Sequence, residues 1–379
     1  MRRASLPAAA KVGAPDEGPQ ATPRMSDVLR GISLQYSHEE LATATKTWHS
    51  SCRLGSGSYG AVYRGELEDG SEVAIKSIDL NAVGAQGQDP EMAGFDDEVK
   101  TLSKFRHPNL VTLLGWGKDG QFRYLVYELL AGGDAFQRLR QAKASKGVKP
   151  FMWYERISVC LDAATGLSHM HNSKPRAFHR DIKAANILLD RHGTAKMADF
   201  GLSCTASCNA GRHVDVKVVS GTPGYACPIY ARTGRVTEAS EVYSFGMVVL
   251  ELLTGLPPAA GAAGGGLVYP IAAAVAPQSP GAQERLLQSL DTLAGYPPAL
   301  ASELAALALR CADPRSEAPR PRFVEVVRTL RGMAERYPRP AGACAPTPAL
   351  AFLGVVAEGS SPASGASAGS AGGSGPSPA

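Results

Sequence analysis

Residues 179–186 read His179-Arg180-Asp181-Ile182-Lys183-Ala184-Ala185-Asn186, and residues 199–201 read Asp199-Phe200-Gly201. Transfer of a phosphoryl group to a hydroxyl needs a carboxylate that orients and deprotonates the hydroxyl, a cation for the charge on the moving group, and oxygen ligands for divalent metal ions. Asp181 and Lys183 are of the first two types, and Asn186 and Asp199 are of the third. Each residue alone would more often be a surface or capping group, so the prediction depends on their order and on the motifs upstream.

A glycine-rich stretch lies upstream and reads Leu54-Gly55-Ser56-Gly57-Ser58-Tyr59-Gly60-Ala61-Val62. Its pattern is G-x-G-x-x-G-x-V, in which the missing side chains let backbone N–H groups approach phosphate oxygens closely. Alone, the pattern would favour a glycine-containing hairpin. A dinucleotide-binding turn is disfavoured, because the stretch leads into a predicted strand and not into a helix.

An apolar stretch that ends in a cation follows, Val73-Ala74-Ile75-Lys76. A lone lysine there would usually be a solvated strand end. Glu98 lies early in the next predicted helix, and an ion pair between this strand and this helix would hold the Lys76 ammonium against the α- and β-phosphates of a nucleotide. Asp96 and Asp97 are neighbouring carboxylates that compete with Glu98 for this assignment.

The composition is that of a globular protein and excludes several classes of function. The chain has 379 residues, of which 44% are hydrophobic, and its net charge is only +4. That charge gives no strong field for nucleic acid, so a nucleic-acid partner is disfavoured. The seven cysteines are scattered without C-x-x-C spacing, which predicts neither disulfides nor a zinc site and favours reduced thiols in the cytoplasm.

The two ends differ from the middle of the chain. Residues 1–35 are rich in Ala, Pro and Arg, and residues 337–379 are Ala, Gly, Ser and Pro with almost no charge, so both are predicted to be disordered. The start lacks the apolar run of a signal peptide, although an organelle transit peptide stays open. The longest uncharged stretch, between Glu251 and Glu284, contains three consecutive glycines and several prolines, which predicts a loop with short helices and no membrane span.

The pattern of apolar residues changes near Trp153. Alternation around residues 61–63 and 73–75 predicts strands, and strand signals return at 110–114 and 124–127. Beyond Trp153 the apolar spacing is three or four, and residues 242–253 are almost wholly apolar. The prediction is an α+β fold of two lobes: a small β-rich N-lobe with one main helix, about 52–130, and a larger, mainly helical C-lobe, about 131–336.

With these motifs in place, residues 36–336 resemble a eukaryotic protein kinase. Three further stretches are similar to plant receptor-like cytoplasmic kinases and to interleukin-receptor-associated and Pelle kinases: Tyr36-Ser37-His38-Glu39-Glu40-Leu41-Ala42-Thr43-Ala44-Thr45, Asn109-Leu110-Val111-Thr112-Leu113-Leu114-Gly115 and Val242-Tyr243-Ser244-Phe245-Gly246. The resemblance implies a serine/threonine kinase of the tyrosine-kinase-like group, acting on protein substrates in signalling. It also implies an upstream receptor or an activating kinase as a partner.

The resemblance also implies roles for individual residues. Family spacing favours Glu98 as the partner of Lys76, and these two join Asp181 and Lys183 as catalytic residues, with Asn186 and Asp199 as ligands of Mg²⁺ or of Mn²⁺ as an alternative ion. The residues implied to bind ATP are Leu54, Gly55, Ser56, Gly57, Ser58, Tyr59, Gly60, Val62, Ala74, Lys76, Tyr127, Glu128, Leu130 and Leu188. Tyr127 would be the gatekeeper before the hinge. His179, Phe200, Leu102 and Leu113 would stack as a column that aligns the lobes.

Regulation by phosphorylation is implied by Arg180, because a phosphate on the following loop can pair with that arginine. The candidate hydroxyls are Ser203, Thr205, Ser207, Ser220 and Thr222. Thr205 and Ser207 are the better phosphosite candidates, since Thr222 is also expected to contact Asp181 and Lys183.

Two positions depart from the family pattern. The usual Ala-Pro-Glu reads Cys227-Pro228-Ile229, and the usual aspartate at the start of the buried helix reads Glu241. Glu241 keeps a carboxylate for the catalytic-loop backbone, whereas Ile229 cannot pair with Arg320. We therefore expect Arg320 to face solvent or to take another partner, with Asp313 and Glu317 as candidates. A pseudokinase, or a nucleotide-binding signalling scaffold, is the alternative function, disfavoured because all the residues of phosphoryl transfer are present.

Overall fold

The computed structural model describes residues 34–57, 60–85, 95–144, 148–206, 213–262 and 264–342. The two ends predicted to be disordered lie outside these residues except for 34–35 and 337–342. The described chain forms a sheet-rich first lobe and a mainly helical second lobe, so the predicted α+β fold is confirmed. No helix in the described ranges is long and apolar enough to cross a membrane.

The first lobe is built on one six-stranded sheet in the order β1-β5-β6-β4-β3-β2. Its strands are β1 (Leu34–Gln35), β2 (Arg53–Gly57), β3 (Gly60–Glu66), β4 (Glu72–Asp79), β5 (Leu113–Asp119) and β6 (Phe122–Glu128). All neighbours are antiparallel except β1 and β5. Val73 and Ile75 alternate along β4 toward a small core where both are fully buried, which is the period-two pattern of a strand with one covered face.

The helices of the first lobe are α1 (His38–Ala44), α2 (Leu80–Ala85) and α3 (Phe95–Leu102). A capping box formed by Ser37 and Glu40 starts α1, which packs on β3 and β5. The strand predicted at 110–114 is wrong in its bounds, because Val111 N–H donates to the carbonyl of Met197 and β5 begins only at Leu113. The hydrogen bond from Val111 to Met197 joins the first lobe to the second.

The second lobe contains eight helices in the described residues, namely α4 (Ala135–Ala144), α5 (Trp153–Asn172), α6 (Pro228–Thr233), α7 (Glu238–Thr254), α8 (Pro270–Val275), α9 (Ala282–Gln288), α10 (Pro298–Cys311) and α11 (Phe323–Arg336). Four antiparallel two-stranded ribbons accompany them: β7 (Ala177–Phe178) with β10 (Cys204–Thr205), β8 (Ile187–Leu189) with β9 (Ala195–Met197), β11 (His213–Asp215) with β12 (Arg235–Thr237), and β13 (Ala260–Gly261) with β14 (Leu267–Val268).

Helix α7 is the central support of the second lobe. Nearly every residue of it is buried, as its uninterrupted apolar run predicts. At its first turn, Glu241 accepts the backbone N–H of Arg180 at 2.5 Å and a bond from His171 Nε2 at 2.8 Å. The expectation that Glu241 still holds the catalytic-loop backbone is confirmed.

Of the two outcomes expected for Arg320, the structure shows the second: it is buried and has taken other partners. The residue is only 7% exposed, and its guanidinium lies over the ring of Tyr243. It donates to the carbonyl oxygens of Asp313 (2.7 and 3.1 Å) and Ala239 (2.9 Å) and lies 3.2 Å from Cys227 Sγ. Asp313 is therefore a partner through its backbone and not its carboxylate, which binds Arg315.

We predict that Arg320→Lys lowers the free energy of unfolding by about 2–4 kcal/mol, because a single ammonium cannot serve these divergent carbonyls and leaves buried acceptors unpaired. Urea denaturation followed by circular dichroism measures the change. Arg315→Lys is the matched control, since Arg315 is exposed and should leave the midpoint nearly unchanged. Equal stability of the two variants would show that the bonds from Arg320 to the carbonyls of Asp313 and Ala239 do not stabilise the fold.

Candidate active site

The cleft between the lobes contains a buried lysine with two carboxylates. Lys76 on β4 places Nζ 2.8 Å from Glu98 Oε2 on α3 and 2.9 Å from Asp199 Oδ1. Lys76 is 6% exposed and Glu98 is 1% exposed. The resemblance to protein kinases predicted the pairing with Glu98. Asp199, which belongs to the second lobe, forms an ion pair with the same ammonium.

The charges of this cluster stabilise one another. Attraction to Lys76 lowers the pKa of Asp199 to about 2, against the opposing effect of burial. Burial alone would lower the pKa of Lys76, but Asp199 and Glu98 outweigh it and the pKa is raised well above its ordinary value. The lysine is therefore cationic and Asp199 anionic throughout the physiological range.

One contact of the predicted column of apolar residues lies beside this cluster. The rings of His179 and Phe200 are 4.8 Å apart, and Leu102 and Leu113 are buried in the main hydrophobic core. The backbone N–H of Phe200 donates to Glu98 at 3.2 Å, and Asp199 has a φ of 62°. A positive φ at a residue other than glycine is uncommon and is typical of functional sites, where neighbouring contacts hold it.

The catalytic loop brings Asp181, Lys183, Asn186 and Thr222 together. Asp181 accepts the Thr222 hydroxyl at 2.7 Å, the Asn186 amide at 3.1 Å and the Lys183 ammonium at 2.8 Å. Lys183 also lies 3.0 Å from the Thr222 hydroxyl, as expected from the sequence. The carboxylate is thereby fixed in orientation by three separate donors.

The residues expected around a nucleotide differ in their exposure. Val62, Ala74 and Leu188 are partly exposed, as are Leu54 and Leu130, whereas Tyr127 is buried beside Glu98. Gly55, Ser56 and Gly57 lie in β2, and Gly60 begins β3. Ser58 and Tyr59 fall outside the described residues. Glu128 ends β6, where its carboxylate forms an ion pair with Lys196 at 2.8 Å.

Arg180 binds neutral groups of the loop that follows the catalytic residues. Its guanidinium donates to the carbonyls of Leu202 (3.1 Å) and Val218 (3.0 Å) and to the Tyr230 hydroxyl (3.2 Å), while Nε is buried without a partner. Among the described residues no carboxylate pairs with it. The guanidinium thus keeps an uncompensated positive charge in this loop.

The candidate phosphosites differ in access. Ser203 is buried, and its hydroxyl bonds the Thr101 hydroxyl at 2.7 Å, so it belongs to the core. Thr205 is partly exposed in β10, and Ser220 is also partly exposed. Ser207 lies outside the described residues. Thr222 is engaged with Asp181 and Lys183.

Sequence reasoning missed a buried acid near the catalytic loop. Glu251 on α7 is fully buried, accepts the hydroxyl of Tyr225 through Oε2, and leaves Oε1 without a hydrogen-bond partner. The closest cation is Arg140, 4.0 Å from Oε1. Burial and the nearby Asp134 raise the pKa of Glu251 to about 7, against the lowering effects of Tyr225 and Arg140. The signal that could have found it is its place as the one charged residue in the apolar run 242–253.

Comparison with known proteins identifies the class that this fold and cleft define. The protein kinase domain family matches residues 48–280. The chain is 37% identical over 325 residues to the probable serine/threonine-protein kinase PBL2 of Arabidopsis thaliana, covering 83% of this chain and 74% of the relative. It is 38% identical over 316 residues to the PTI1-like tyrosine-protein kinase 1 of the same plant, covering 82% and 84%.

The chain therefore belongs to the protein kinase family. A third relative, the probable serine/threonine-protein kinase PBL26 of Arabidopsis thaliana, is 43% identical over 232 residues, which are 60% of this chain and 54% of the relative. The predicted resemblance to plant receptor-like cytoplasmic kinases is confirmed. Protein kinases use ATP with a divalent metal ion, as the sequence motifs predicted.

We predict that Glu251→Gln changes how stability depends on pH. The folded pKa of about 7 lies above the unfolded value of about 4.5, so the native state holds a proton that the unfolded state has already lost between these pH values. The free energy of unfolding of the wild type therefore falls as pH rises from about 4.5 to 7, and the variant lacks this fall. The variant should gain on the order of 1–3 kcal/mol over the wild type across that window.

Urea denaturation at half-unit steps between pH 4.5 and 8 measures the difference. Glu325→Gln on α11 removes an exposed carboxyl and is the matched control, with no pH-dependent difference expected. A constant difference between the wild type and Glu251→Gln across this range would contradict the raised pKa.

Proposed function

We propose that residues 36–336 form a protein serine/threonine kinase that transfers the γ-phosphoryl group of Mg-ATP to protein substrates. The observation that carries the proposal is the set of contacts that joins Lys76 to both Glu98 and Asp199 while Asp181, Asn186 and Lys183 meet beside it. The geometry supports catalysis over a scaffold role, because a scaffold has no need to align these groups.

Each side chain has a role in the proposed reaction. Asp181 orients the substrate hydroxyl and accepts its proton as the hydroxyl oxygen attacks the γ-phosphorus. Lys183 lies beside Asp181 and balances the charge that develops on the moving phosphoryl group. Lys76 holds the α- and β-phosphates, and Glu98 keeps its ammonium in place. The bond from the γ-phosphorus to ADP breaks as the bond to the substrate oxygen forms.

The donor set fits a hard divalent ion. The amide nitrogen of Asn186 donates to Asp181, which leaves its oxygen as the atom for a metal, and Asp199 supplies a carboxylate that is ionised at all physiological pH values. Oxygen ligands of this kind suit Mg²⁺, with Mn²⁺ as an alternative. A divalent ion held by these two residues would neutralise negative charge on the phosphates of the nucleotide.

The preference for serine and threonine rests on the contacts of Lys183 and Thr222. This lysine and this hydroxyl occupy the positions that distinguish the serine/threonine type from the tyrosine type, and they bond each other at 3.0 Å. One relative carries tyrosine-protein kinase in its name, so the residue type that receives the phosphate has to be identified by experiment.

We also propose how the enzyme is regulated and in which compartment it acts. Phosphorylation at Thr205 or Ser207 would supply an anion for Arg180, whose guanidinium otherwise meets only neutral acceptors. An activating kinase or an upstream receptor is the proposed source of that phosphate. A cytoplasmic location agrees with the absence of disulfides among the five cysteines that the structure describes.

We predict that Asp181→Asn and Asp199→Asn separate turnover from nucleotide binding. Asp181→Asn should keep its affinity for Mg-ATP within about threefold and lose turnover by about 10²–10⁴-fold, because only the proton acceptor is removed. Asp199→Asn should lose transfer and metal-dependent nucleotide affinity together. Titration with a fluorescent ATP analogue, beside transfer of radiolabelled phosphate, measures both quantities. An Asp181→Asn protein that binds Mg-ATP as poorly as Asp199→Asn would contradict the assigned base.

Lys76→Met should also abolish transfer. The structure adds that this variant leaves Glu98 buried without its cation, so we expect it to unfold at lower denaturant than the wild type. Normal transfer by folded Lys76→Met would oppose the proposed phosphate contact.

We predict that phosphorylation between 203 and 222 activates the enzyme. Phosphatase treatment, or the double substitution Thr205→Ala and Ser207→Ala, should lower activity at least fivefold, because Arg180 then has no phosphate to bind. Thr292→Ala, an exposed threonine of the second lobe, is the matched control. Active enzyme in which mass spectrometry finds no phosphate in this loop would rule out the mechanism.

A further inference from the structure

Besides Lys76 with Asp199, another ion pair joins the two lobes and has no role in the chemistry above. Lys196 of β9 places Nζ 2.8 Å from both carboxylate oxygens of Glu128, the residue that ends β6. The two side chains are 15% and 28% exposed, and in the described chain neither has a second ion-pair partner. A pair that engages both oxygens and is mostly shielded from water is stronger than an ordinary surface pair.

The carboxylate of Glu128 also binds the first lobe. Thr112 N–H donates to Glu128 Oε1 at 2.8 Å, and Glu128 N–H donates to the Thr112 carbonyl at 3.2 Å. Both carboxylate oxygens therefore already bind groups of the protein. A nucleotide contact at Glu128 is thus expected from the backbone of the hinge, residues 128–130, and the side chain is left for the contact between the lobes.

Lys196 begins the short segment that ends at Asp199. In the ribbon of β8 and β9 it lies opposite Leu188, one of the residues implied to bind ATP. At the other end of the segment, Asp199 pairs with Lys76 at 2.9 Å. The first lobe therefore holds this segment at two points, by Glu128 at its start and by Lys76 at its end.

The two points correspond to the two ends of a nucleotide. From the resemblance to protein kinases we expect adenine at the hinge and Leu188, and the phosphates with their metal ion at Lys76 and Asp199. A nucleotide gains the contacts of both ends only where their spacing matches its length, and a fixed spacing lowers the entropy cost of binding. The ammonium of Lys196 is bound by Glu128, so Lys196 acts on the nucleotide through the position of β9.

We propose that the ion pair of Glu128 with Lys196, named here the hinge clamp, fixes the distance between the adenine end of the nucleotide site and Asp199. Lys196 is thereby a positioning residue that couples the binding of adenine to the binding of the phosphates and the metal ion. This inference rests on the nucleotide site of the proposed function and deepens it, because it assigns a role to two side chains that take no part in the transfer itself.

A comparison of two ligands tests the hinge clamp. Adenosine lacks the phosphates, whereas the non-hydrolysable Mg-AMP-PNP binds at both ends, so the ratio of their Kd values measures the coupling. Lys196→Gln should keep the Kd of adenosine within about twofold of the wild type and raise the Kd of Mg-AMP-PNP at least about fivefold, because the spacing is no longer fixed. Lys196→Arg keeps a cation for Glu128 and should bind Mg-AMP-PNP within about twofold of the wild type. Competition with a fluorescent ATP analogue measures both constants.

Further variants make the test specific to this pair. Glu128→Gln keeps an acceptor for Thr112 N–H, so it remains a valid test if Lys196→Gln unfolds, and it should raise the Kd of Mg-AMP-PNP by a similar factor. The double variant should be no weaker than the weaker single variant within about twofold, because both substitutions remove the same pair. Arg336→Gln is the matched control, since it breaks an ion pair with Glu303 inside the second lobe and should leave both Kd values unchanged.

The same measurements can overturn the proposal. Wild-type affinity of Lys196→Gln for Mg-AMP-PNP would show that the pair does not set the spacing, and tighter binding would show that it restrains the site. An equal loss of affinity for adenosine and Mg-AMP-PNP would show that Lys196 only supports the fold. A wild type that binds Mg-AMP-PNP and transfers no phosphate from Mg-ATP would remove the proposed kinase activity alone, and the Kd ratio would still decide the hinge clamp. A wild type that binds neither ligand would remove both.

Discussion

The buried cation of Lys76 links the two lobes. Its ammonium bonds Glu98 of the first lobe at 2.8 Å and Asp199 of the second at 2.9 Å. Removing Lys76 would leave the Glu98 carboxylate, which is 1% exposed, buried without its cation, and this costs several kcal/mol. The placement of α3, the ring contact of Phe200 with His179 and the orientation of Asp199 therefore depend on one another.

In the second lobe, helix α7 holds the segments that carry Asp181 and Tyr225. Helix α7 provides Glu241, which holds the backbone of Arg180 beside Asp181, and Glu251, which holds the hydroxyl of Tyr225. Arg320 takes other partners in place of the family's glutamate, which is Ile229 here: it donates to the carbonyls of Ala239 and Asp313 and lies 3.2 Å from Cys227 Sγ.

The two-lobed fold could be predicted from the apolar patterns and motifs of the sequence. The pairing of Lys76 with Glu98 followed only from the resemblance to protein kinases, because the residues alone left Asp96 and Asp97 as competing carboxylates. Strand β1 at the edge of the sheet could not be predicted, since its two residues carry no periodic signal. Arg320 binds backbone carbonyls. Because every residue has a carbonyl, residue types could not predict which ones it binds. The raised pKa of Glu251 comes mainly from burial, which the apolar run of α7 predicts, but the distance of Arg140 from the carboxyl could not be predicted.

Mass spectrometry of the reaction products shows whether the aligned residues transfer phosphate to serine or threonine. Purified protein is incubated with Mg-ATP and peptides that offer Ser, Thr or Tyr as the acceptor, beside Asp181→Asn as the inactive reference. We expect phosphoserine or phosphothreonine in the peptides with the wild type and at most trace amounts with Asp181→Asn. Bound nucleotide without transfer, phosphotyrosine alone, or equal phosphorylation by both proteins would contradict this activity.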